Sequence, residues 1–261
     1  MPRIASNLGL LIAACRPGAV GDDSGGHAVD SADRTFSVSG AVEDVDGSAV
    51  PDLYVTASDA FCTPDRTDEA GGFTIGNVAG GEKRLITYGD TAPGGPWASV
   101  VLPLDLAGDT VMPAPVLAPS LTESWPVDPD ATEEQTIVTA DGLVLSIAPA
   151  SLHLAPFADP EVRVRRVPVA QSPAFVPDGA TLVDLFVLDR ILSTFDPPAA
   201  VAFPADTGLD PGTAVTFYAL DYDTGWLVPV AAGAVDADGR PTSAEGEGIP
   251  ELTWIAVSVE E

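Results

Sequence analysis

The sequence predicts an all-β protein in which two consecutive β-sandwich domains follow a flexible N-terminal segment. From residue 36 onward, apolar and polar residues alternate with a period of two, which is typical of strands with one buried face. Turn signals recur every 8–15 residues, and the 25 Gly and 25 Pro are spread along the chain between the strands. No stretch of 12 residues has the periodicity of an amphipathic helix.

The whole chain is acidic, with 39 Asp and Glu against 11 Lys and Arg and a net charge of −28. Residues 35–118 carry 12 acids and 3 bases, and residues 119–261 carry 23 acids and 5 bases, so the excess belongs to the whole surface. Such a surface repels phosphate backbones and anionic headgroups, which argues against nucleic acid as a partner. The acidity favours solubility, for example in a salty habitat. Loose binding of divalent cations is the alternative interpretation.

Residues 1–14 have the pattern of a secretory signal peptide. Arg3 and the amino terminus form a short positive region, and the apolar run Leu8–Ala14 is too short to cross a bilayer as a helix. The segment Ile12-Ala13-Ala14-Cys15 resembles the lipobox of bacterial lipoproteins. In that family the cysteine thiol receives a diacylglyceryl group, and the chain is cleaved just before it. The resemblance implies that Cys15 attaches the protein to membrane lipid. A plain signal peptide and a wrongly assigned start codon are the alternatives.

Residues 15–34 are predicted to form a flexible tether, because they are rich in Gly, Asp and Ser and lack apolar periodicity. Arg16 follows the cysteine where many inner-membrane lipoproteins have Asp, so the resemblance implies an outer-membrane or cell-surface destination. The second cysteine, Cys62, has no disulfide partner if Cys15 is lipidated. A Cys15–Cys62 disulfide requires that the lipobox assignment is wrong. No Cys or His cluster has metal-ligand spacing.

The first domain is predicted at residues 35–118. Its two motifs resemble those of the carboxypeptidase regulatory-like domain, a transthyretin-like β-sandwich related in shape to Ig-like domains. The matching residues are Val38, Gly40, Val42, Asp44, Gly47, Val50 and Pro51 in the first motif, and Thr67, Asp68, Gly72, Phe73, Ile75, Asn77, Val78 and Gly81 in the second. The resemblance implies a spacer, a stabiliser of a neighbouring domain or a binding module, and it brings no peptidase site.

Trp97, in the loop APGGPW, is the candidate for stacking against a sugar ring. Packing over the end of the first sandwich is the alternative, and it is the favoured interpretation of this residue.

The second domain is predicted at residues 119–261. It resembles a β-sandwich module of bacterial surface proteins and YD-repeat (teneurin-like) proteins, in the style of ZU5 domains. The markers are the strand DGLVLSIAPASL, the segment Phe195-Asp196-Pro197, the run Leu209–Thr213, the turn Asp221–Trp226 and the closing Leu252-Thr253-Trp254. The resemblance implies a scaffold or interaction role and supplies no catalytic residues. Arg163, Arg165 and Arg166 alternate with valines and are predicted on a solvated strand face, paired with carboxylates.

Three acidic turns raise the possibility of calcium as a cofactor: Asp44 with Asp46, Asp221 with Asp223, and Asp236 with Asp238. None has the spacing of an EF-hand loop or of a tandem calcium repeat. Asp beside Gly is ordinary hairpin chemistry, so the structural interpretation of these turns is favoured and no cofactor is expected.

No convergent catalytic set is recognisable in the sequence. His27 lies in the tether, and Ser151 stands two residues before His153 without a nucleophile elbow. The predicted function is therefore a lipid-anchored envelope protein with a non-enzymatic scaffold or adhesion-like role, whose partner is an envelope protein or a polysaccharide. The alternatives are a carbohydrate-binding module and a cryptic hydrolase that uses His153.

Overall fold

The structure is a computed structural model that describes residues 34–58, 63–89, 95–155, 159–172, 175–177, 179–189 and 192–259. Cys15, the predicted signal peptide (1–14), most of the predicted tether (15–34) and Cys62 lie outside the described residues. The regular elements are strands, apart from short 3₁₀ turns such as Val169–Gln171 and Ala205–Thr207. The all-β prediction is confirmed. Within the described part of the chain, no helix is long and apolar enough to span a bilayer.

The first sandwich consists of two four-stranded sheets with apolar side chains between them. One sheet has the order β4-β1-β7, with β8 also paired to β1, and the other has the order β3-β2-β5-β6. The strands are β1 (Thr35–Glu43), β2 (Tyr54–Ser58), β3 (Thr63–Arg66), β4 (Gly72–Ala79), β5 (Gly81–Tyr88), β6 (Val100–Leu106), β7 (Thr110–Val111) and β8 (Val116–Leu117).

Local sequence explains how β1 and β4 pair. Phe73 and Ile75 are buried, as their alternation along β4 predicts. Gly47 adopts a φ of +79° in the turn after β1, and its N–H donates to the carbonyl of Asp44. Gly71 adopts a φ of +75°, and a Cβ atom there would lie only 2.4 Å from the carbonyl oxygen of Val42. These two positions therefore require glycine.

The remaining strands form one twelve-stranded sheet, in the order β10-β11-β15-β18-β17-β16-β20-β14-β13-β9, with β12 and β19 also paired to β15. It encloses a second apolar core. The strands are β9 (Glu123–Pro126), β10 (Gln135–Val138), β11 (Val144–Ile147), β12 (Leu152–His153), β13 (Glu161–Arg166), β14 (Leu182–Asp189), β15 (Thr194–Ala202), β16 (Ala214–Asp221), β17 (Trp226–Val235), β18 (Pro241–Ser243), β19 (Ile249–Glu251) and β20 (Trp254–Val259).

Side-chain hydrogen bonds connect the chain at the two end strands of this large sheet, β9 and β10. Gln135 bridges them at one end: its Oε1 accepts the N–H of Asp128 at 2.7 Å, and its Nε2 donates to the carbonyl of Asp128 at 2.8 Å. At the other end, the Glu123 carboxylate accepts the N–H of Ala140 at 2.9 Å. Side chains therefore join the two ends of the sheet, where a closed barrel has a backbone ladder. We call this junction the seam.

Two strands of the large sheet are buried on both faces. Along β14, Phe186 faces the core inside the large sheet, whereas Leu185 and Val187 belong to the core of the first sandwich. Along β20, Ile255 faces the core inside the large sheet, whereas Trp254 belongs to the core of the first sandwich. The outer face of the large sheet therefore packs on the first sandwich, and one continuous apolar core crosses between them.

A buried hydrogen bond accompanies this packing. The indole N–H of Trp254 donates to the carbonyl of Ser99 at 2.8 Å, and the Trp254 side chain is fully buried. Its ring also meets the ring of Phe175 edge-on, with centroids 5.5 Å apart. Trp254 is thus held by both parts of the chain.

Candidate functional site

Arg165 does not lie on a solvated face, in contrast to the sequence prediction for the β13 arginines. Its Nη1 lies 3.1 Å from the Asp44 carboxylate of the first sandwich and donates to the carbonyl of Ser120 at 2.8 Å. The side chains of Arg165 and Asp44 are only 20% and 9% exposed. The ion pair therefore fastens the large sheet to the first sandwich.

Arg166 is also tied to carboxylates, in a shallow cleft of about 420 Å³. Its Nε donates to Asp184 at 2.9 Å, and its two terminal nitrogens donate to the two oxygens of Asp206 at 2.8 Å. These bonds lower the pKa of Asp206, whereas burial raises the pKa of Asp184. The pairing with carboxylates was predicted, but the burial of Asp184 was not.

Most described cations are bound within the protein in the same way. The partners are Asp52 for Arg66, Asp223 for Arg84, Glu161 and Asp189 for Arg163, and the Gly142 carbonyl for Arg240. Because most of the described arginines are paired with groups of the protein itself, the outer surface of the described chain carries mainly carboxylates. This surface can attract cationic groups and repels anionic ones.

The predicted calcium turns use their carboxylates to cap their own backbone. Asp46 accepts from the N–H of Ser48 at 2.9 Å, Asp221 from the N–H of Asp223 at 2.8 Å, and Asp236 from the N–H of Asp238 at 2.9 Å. Of the other three Asp residues, Asp44 is bound to Arg165, and the Asp223 carboxylate lies 3.5 Å from Arg84. Over the described ranges, no three acidic, His or Cys side chains are grouped so as to hold a metal ion. Calcium binding stays a hypothesis.

The four tryptophans differ in their exposure. Trp97, the predicted sugar-stacking residue, is partly buried against the core of the first sandwich, and Trp125 packs on the core of the large sheet. Trp254 is buried, whereas Trp226 is 39% exposed. Trp226 lies opposite Asp221 in the register of β16 and β17. Two shallow clefts, of about 460 and 420 Å³, contain no aromatic side chain.

Ser151 and His153 do not assemble a catalytic pair. The Ser151 hydroxyl is buried and donates to the carbonyl of Ala148 at 2.9 Å, while His153 is exposed on β12 opposite Thr194. A nucleophile needs its base within hydrogen-bonding reach. The hydrolase alternative therefore gains no support from these residues.

A residue that the sequence analysis did not single out, Glu251, lies near the turn between β16 and β17. Burial, and secondarily the charges of Asp221 and Asp223, raise the pKa of Glu251 to about 7. The same turn contacts the first sandwich, because Arg84 donates a hydrogen bond to the carbonyl of Tyr222 at 2.6 Å. No local sequence signal marks Glu251, because its neighbours come from distant strands.

Comparison with known proteins identifies no family. No family model matches the chain, and no curated protein does. Among solved structures, the chain is similar to a DUF3823 family protein from Bacteroides ovatus, at 10% identity and a TM-score of 0.27 over 65% of this chain and 90% of that one. It is also similar to the TIE protein of Bacillus anthracis, at 12% identity and a TM-score of 0.30 over 87% and 49% of the chains. The major pilin subunit of Bacillus cereus matches at 11% identity and a TM-score of 0.28, over 83% and 86%. These values are too low to carry a functional argument.

Proposed function

We propose that the protein is a lipid-anchored protein of the bacterial cell envelope, at the outer membrane or cell surface, with a non-enzymatic structural or interaction role. In this proposal Cys15 carries the lipid, and residues 15–34 hold the folded part away from the bilayer. The partner is an envelope protein or a polysaccharide, and the acidic surface argues against nucleic acid.

The observation that carries the structural role is the core shared by the first sandwich and the large sheet. Apolar contacts, the Trp254–Ser99 hydrogen bond and the Arg165–Asp44 ion pair all cross the same junction. Two sandwiches joined only by a linker would move independently. Here they present their surface loops in a fixed arrangement, which suits a scaffold or spacer.

The lipid anchor is tested by the intact mass and membrane fractionation of the wild-type protein, Cys15→Ala and, as the matched control, Cys62→Ala. We expect the wild type and Cys62→Ala to begin at residue 15, to carry acyl chains and to sediment with membranes. Cys15→Ala should be released and unacylated. A soluble, unmodified wild-type protein would refute the anchor and would reopen the Cys15–Cys62 disulfide.

A carbohydrate-binding role is the second candidate, and the exposure of Trp226 favours it. An exposed indole offers a flat apolar surface to a sugar ring, and the neighbouring Asp221 carboxylate can accept hydroxyl hydrogen bonds. Trp226 therefore replaces Trp97 as the residue to test.

The test is binding of the wild-type protein, Trp226→Ala and Val138→Ala to a panel of immobilised envelope polysaccharides. Val138 is the control because it is also exposed on a strand of the large sheet. If the role is correct, Trp226→Ala weakens binding about three- to tenfold and Val138→Ala leaves it unchanged. Equal binding by all three proteins, or no binding by the wild type, would reject this role.

A further inference from the structure

One carboxylate of the large sheet is buried with part of its hydrogen-bonding capacity unused. The Oδ1 atom of Asp184, on β14, accepts the Nε–H of Arg166 and the N–H of Leu185, each at 2.9 Å. Its Oδ2 atom is buried without a hydrogen-bond partner among the described residues, and the Asp184 side chain is only 3% exposed. A buried carboxylate oxygen without a donor costs free energy, so a further donor would stabilise Asp184.

Asp184 lines the shallow cleft of about 420 Å³ that also contains Arg166. Asp141, in the turn between β10 and β11, adds a second carboxylate to this cleft. The rest of the lining is aliphatic and consists of Val167, Pro168, Val169 and Val183. The volume falls within the range of small-ligand sites, about 300–1,000 Å³. The cleft therefore combines an unused buried acceptor with apolar walls.

The charges at the cleft favour a cationic ligand. Arg166 is the one cation among the described residues that line it, and Asp184 and Asp206 already accept three hydrogen bonds from its guanidinium. Burial raises the pKa of Asp184, although the hydrogen bond and the charge of Arg166 lower it, so Arg166 compensates this carboxylate only in part. A second cation beside Asp184 would complete the compensation.

The cleft suits a primary ammonium group better than a metal ion or a guanidinium. No three acidic, His or Cys side chains in the described part of the chain are grouped so as to hold a metal ion. A guanidinium is a planar fork that pairs best with both oxygens of a carboxylate, whereas Asp184 has only Oδ2 unused. An ammonium group is compact and can donate to a single oxygen.

The aliphatic walls indicate which ammonium compound fits. A lysine side chain carries its ammonium group on an apolar stem, which can lie along the valines and Pro168. An amino sugar carries it on a ring of hydroxyl groups, for which these walls offer no partners. A second copy of the chain cannot supply the lysine, because its one lysine, Lys83, is only 9% exposed.

We propose that this cleft binds a lysine side chain of a partner protein, with the ammonium group donating to Oδ2 of Asp184 and the stem lying against the aliphatic wall. The proposal rests on the interaction role proposed above and names the chemistry of the partner. It does not involve the lipid anchor.

The test is a titration of the full chain with Nα-acetyl-lysine amide in about 0.15 M salt, followed by the NMR shifts of the backbone amides. We expect saturable shifts at residues 141, 167, 169 and 183–185. Two probes are the controls: Nα-acetyl-norleucine amide has an uncharged aliphatic side chain, and glucosamine is an amino sugar. Both should bind about tenfold more weakly than the lysine derivative.

Three variants locate the binding. Asp184→Asn should weaken binding of the lysine derivative about tenfold, because it removes the charge that accepts the ammonium group. Asp141→Asn should weaken it about two- to fivefold, because Asp141 is exposed. Asn is as well suited as Asp to the position before Gly142, so this variant keeps the turn. Asp130→Asn is the matched control, since Asp130 is exposed and does not line the cleft, and it should bind like the wild type.

The proposal is overturned if the shifts spread over the acidic surface without saturating, or if either control probe binds as tightly as the lysine derivative. It is also overturned if Asp184→Asn and Asp141→Asn both bind like the wild type. If Asp184→Asn does not fold, Asp141→Asn alone decides. A negative titration removes this site only, because the anchor is tested by membrane fractionation and the carbohydrate role by the polysaccharide panel.

Discussion

At the scale of single residues, Arg165 shows how one charged side chain connects distant parts of the chain. It lies on β13 of the large sheet and meets Asp44, which follows β1 of the first sandwich, across a sequence separation of 121 residues. Both side chains are largely shielded from water. Losing one partner of such a pair leaves the other charge buried without compensation.

We expect Arg165→Met to lower the free energy of unfolding by about 3 kcal/mol, measured by urea denaturation. The matched control is Arg34→Met, because the Arg34 side chain is exposed, and its effect should be within about 0.5 kcal/mol. Combining Arg165→Met with Asp44→Asn should cost less than the sum of the two single changes. An Arg165→Met variant as stable as the control would contradict this account.

At the scale of elements, the outer strands of the first sandwich are protected against pairing with other chains. The N–H groups of Gly72 and Thr74 point away from β1 and donate to the carboxylates of Asp68 and Asp65. The edge strands β3 and β6 contain Pro64 and Pro103, and prolines 113 and 115 stand between β7 and β8. Pro residues and charged side chains at a sheet edge are devices that block strand addition.

The seam of the large sheet gives a prediction at the same scale. Gln135→Ala removes the two hydrogen bonds to Asp128, so we expect a loss of about 1–2 kcal/mol in the free energy of unfolding and faster hydrogen exchange of β10. Glu134→Ala, at the exposed neighbouring position, should have little effect. Unchanged exchange of β10 in Gln135→Ala would show that these hydrogen bonds do not hold the end of the sheet in place.

The sequences of strands β14 and β20 indicate that both faces of each strand are buried. The segments LVDLFVLD and WIAVSV are nearly continuous apolar runs. An antiparallel strand with one solvent-exposed face normally alternates apolar and polar residues. The runs predict burial on both faces, but they do not identify the second partner. Only the structure shows that this partner is the first sandwich.

At the scale of the whole molecule, the shared core predicts that both parts unfold together. We expect one cooperative urea transition, with tryptophan fluorescence and far-UV circular dichroism coinciding. Trp254→Ala should lower the free energy of unfolding by about 3–5 kcal/mol. The transition then moves to a lower urea concentration and stays single. Two separate transitions in the wild type would contradict the shared core.

The net charge of −28 gives a second prediction for the whole molecule. Because most described arginines are paired internally, the remaining carboxylates repel one another across the surface, and salt screens this repulsion. We expect the Tm to rise by several degrees between about 0.05 M and about 1 M sodium chloride, measured by calorimetry. A Tm that falls with salt would mean that the internal ion pairs dominate.

The sequence by itself determined the all-β class, the turns and many inward-facing positions. Alternation buries Phe73 and Ile75, and glycines with positive φ close the turns, as at Gly47. These features could be predicted because strand period and turn chemistry depend on residues only a few positions apart. The domain boundary between residues 118 and 119 and the lipidation of Cys15 remain predictions.

Only the tertiary structure decided how the sandwiches combine and where the candidate sites lie. Arg165 looked like a solvated residue, Trp97 like the tryptophan to test, and Asp184 like any other acid. Their roles depend on neighbours that are distant in sequence, such as Asp44 beside Arg165 and Arg166 beside Asp184. Burial and pKa are properties of those assembled surroundings, so no local pattern encodes them.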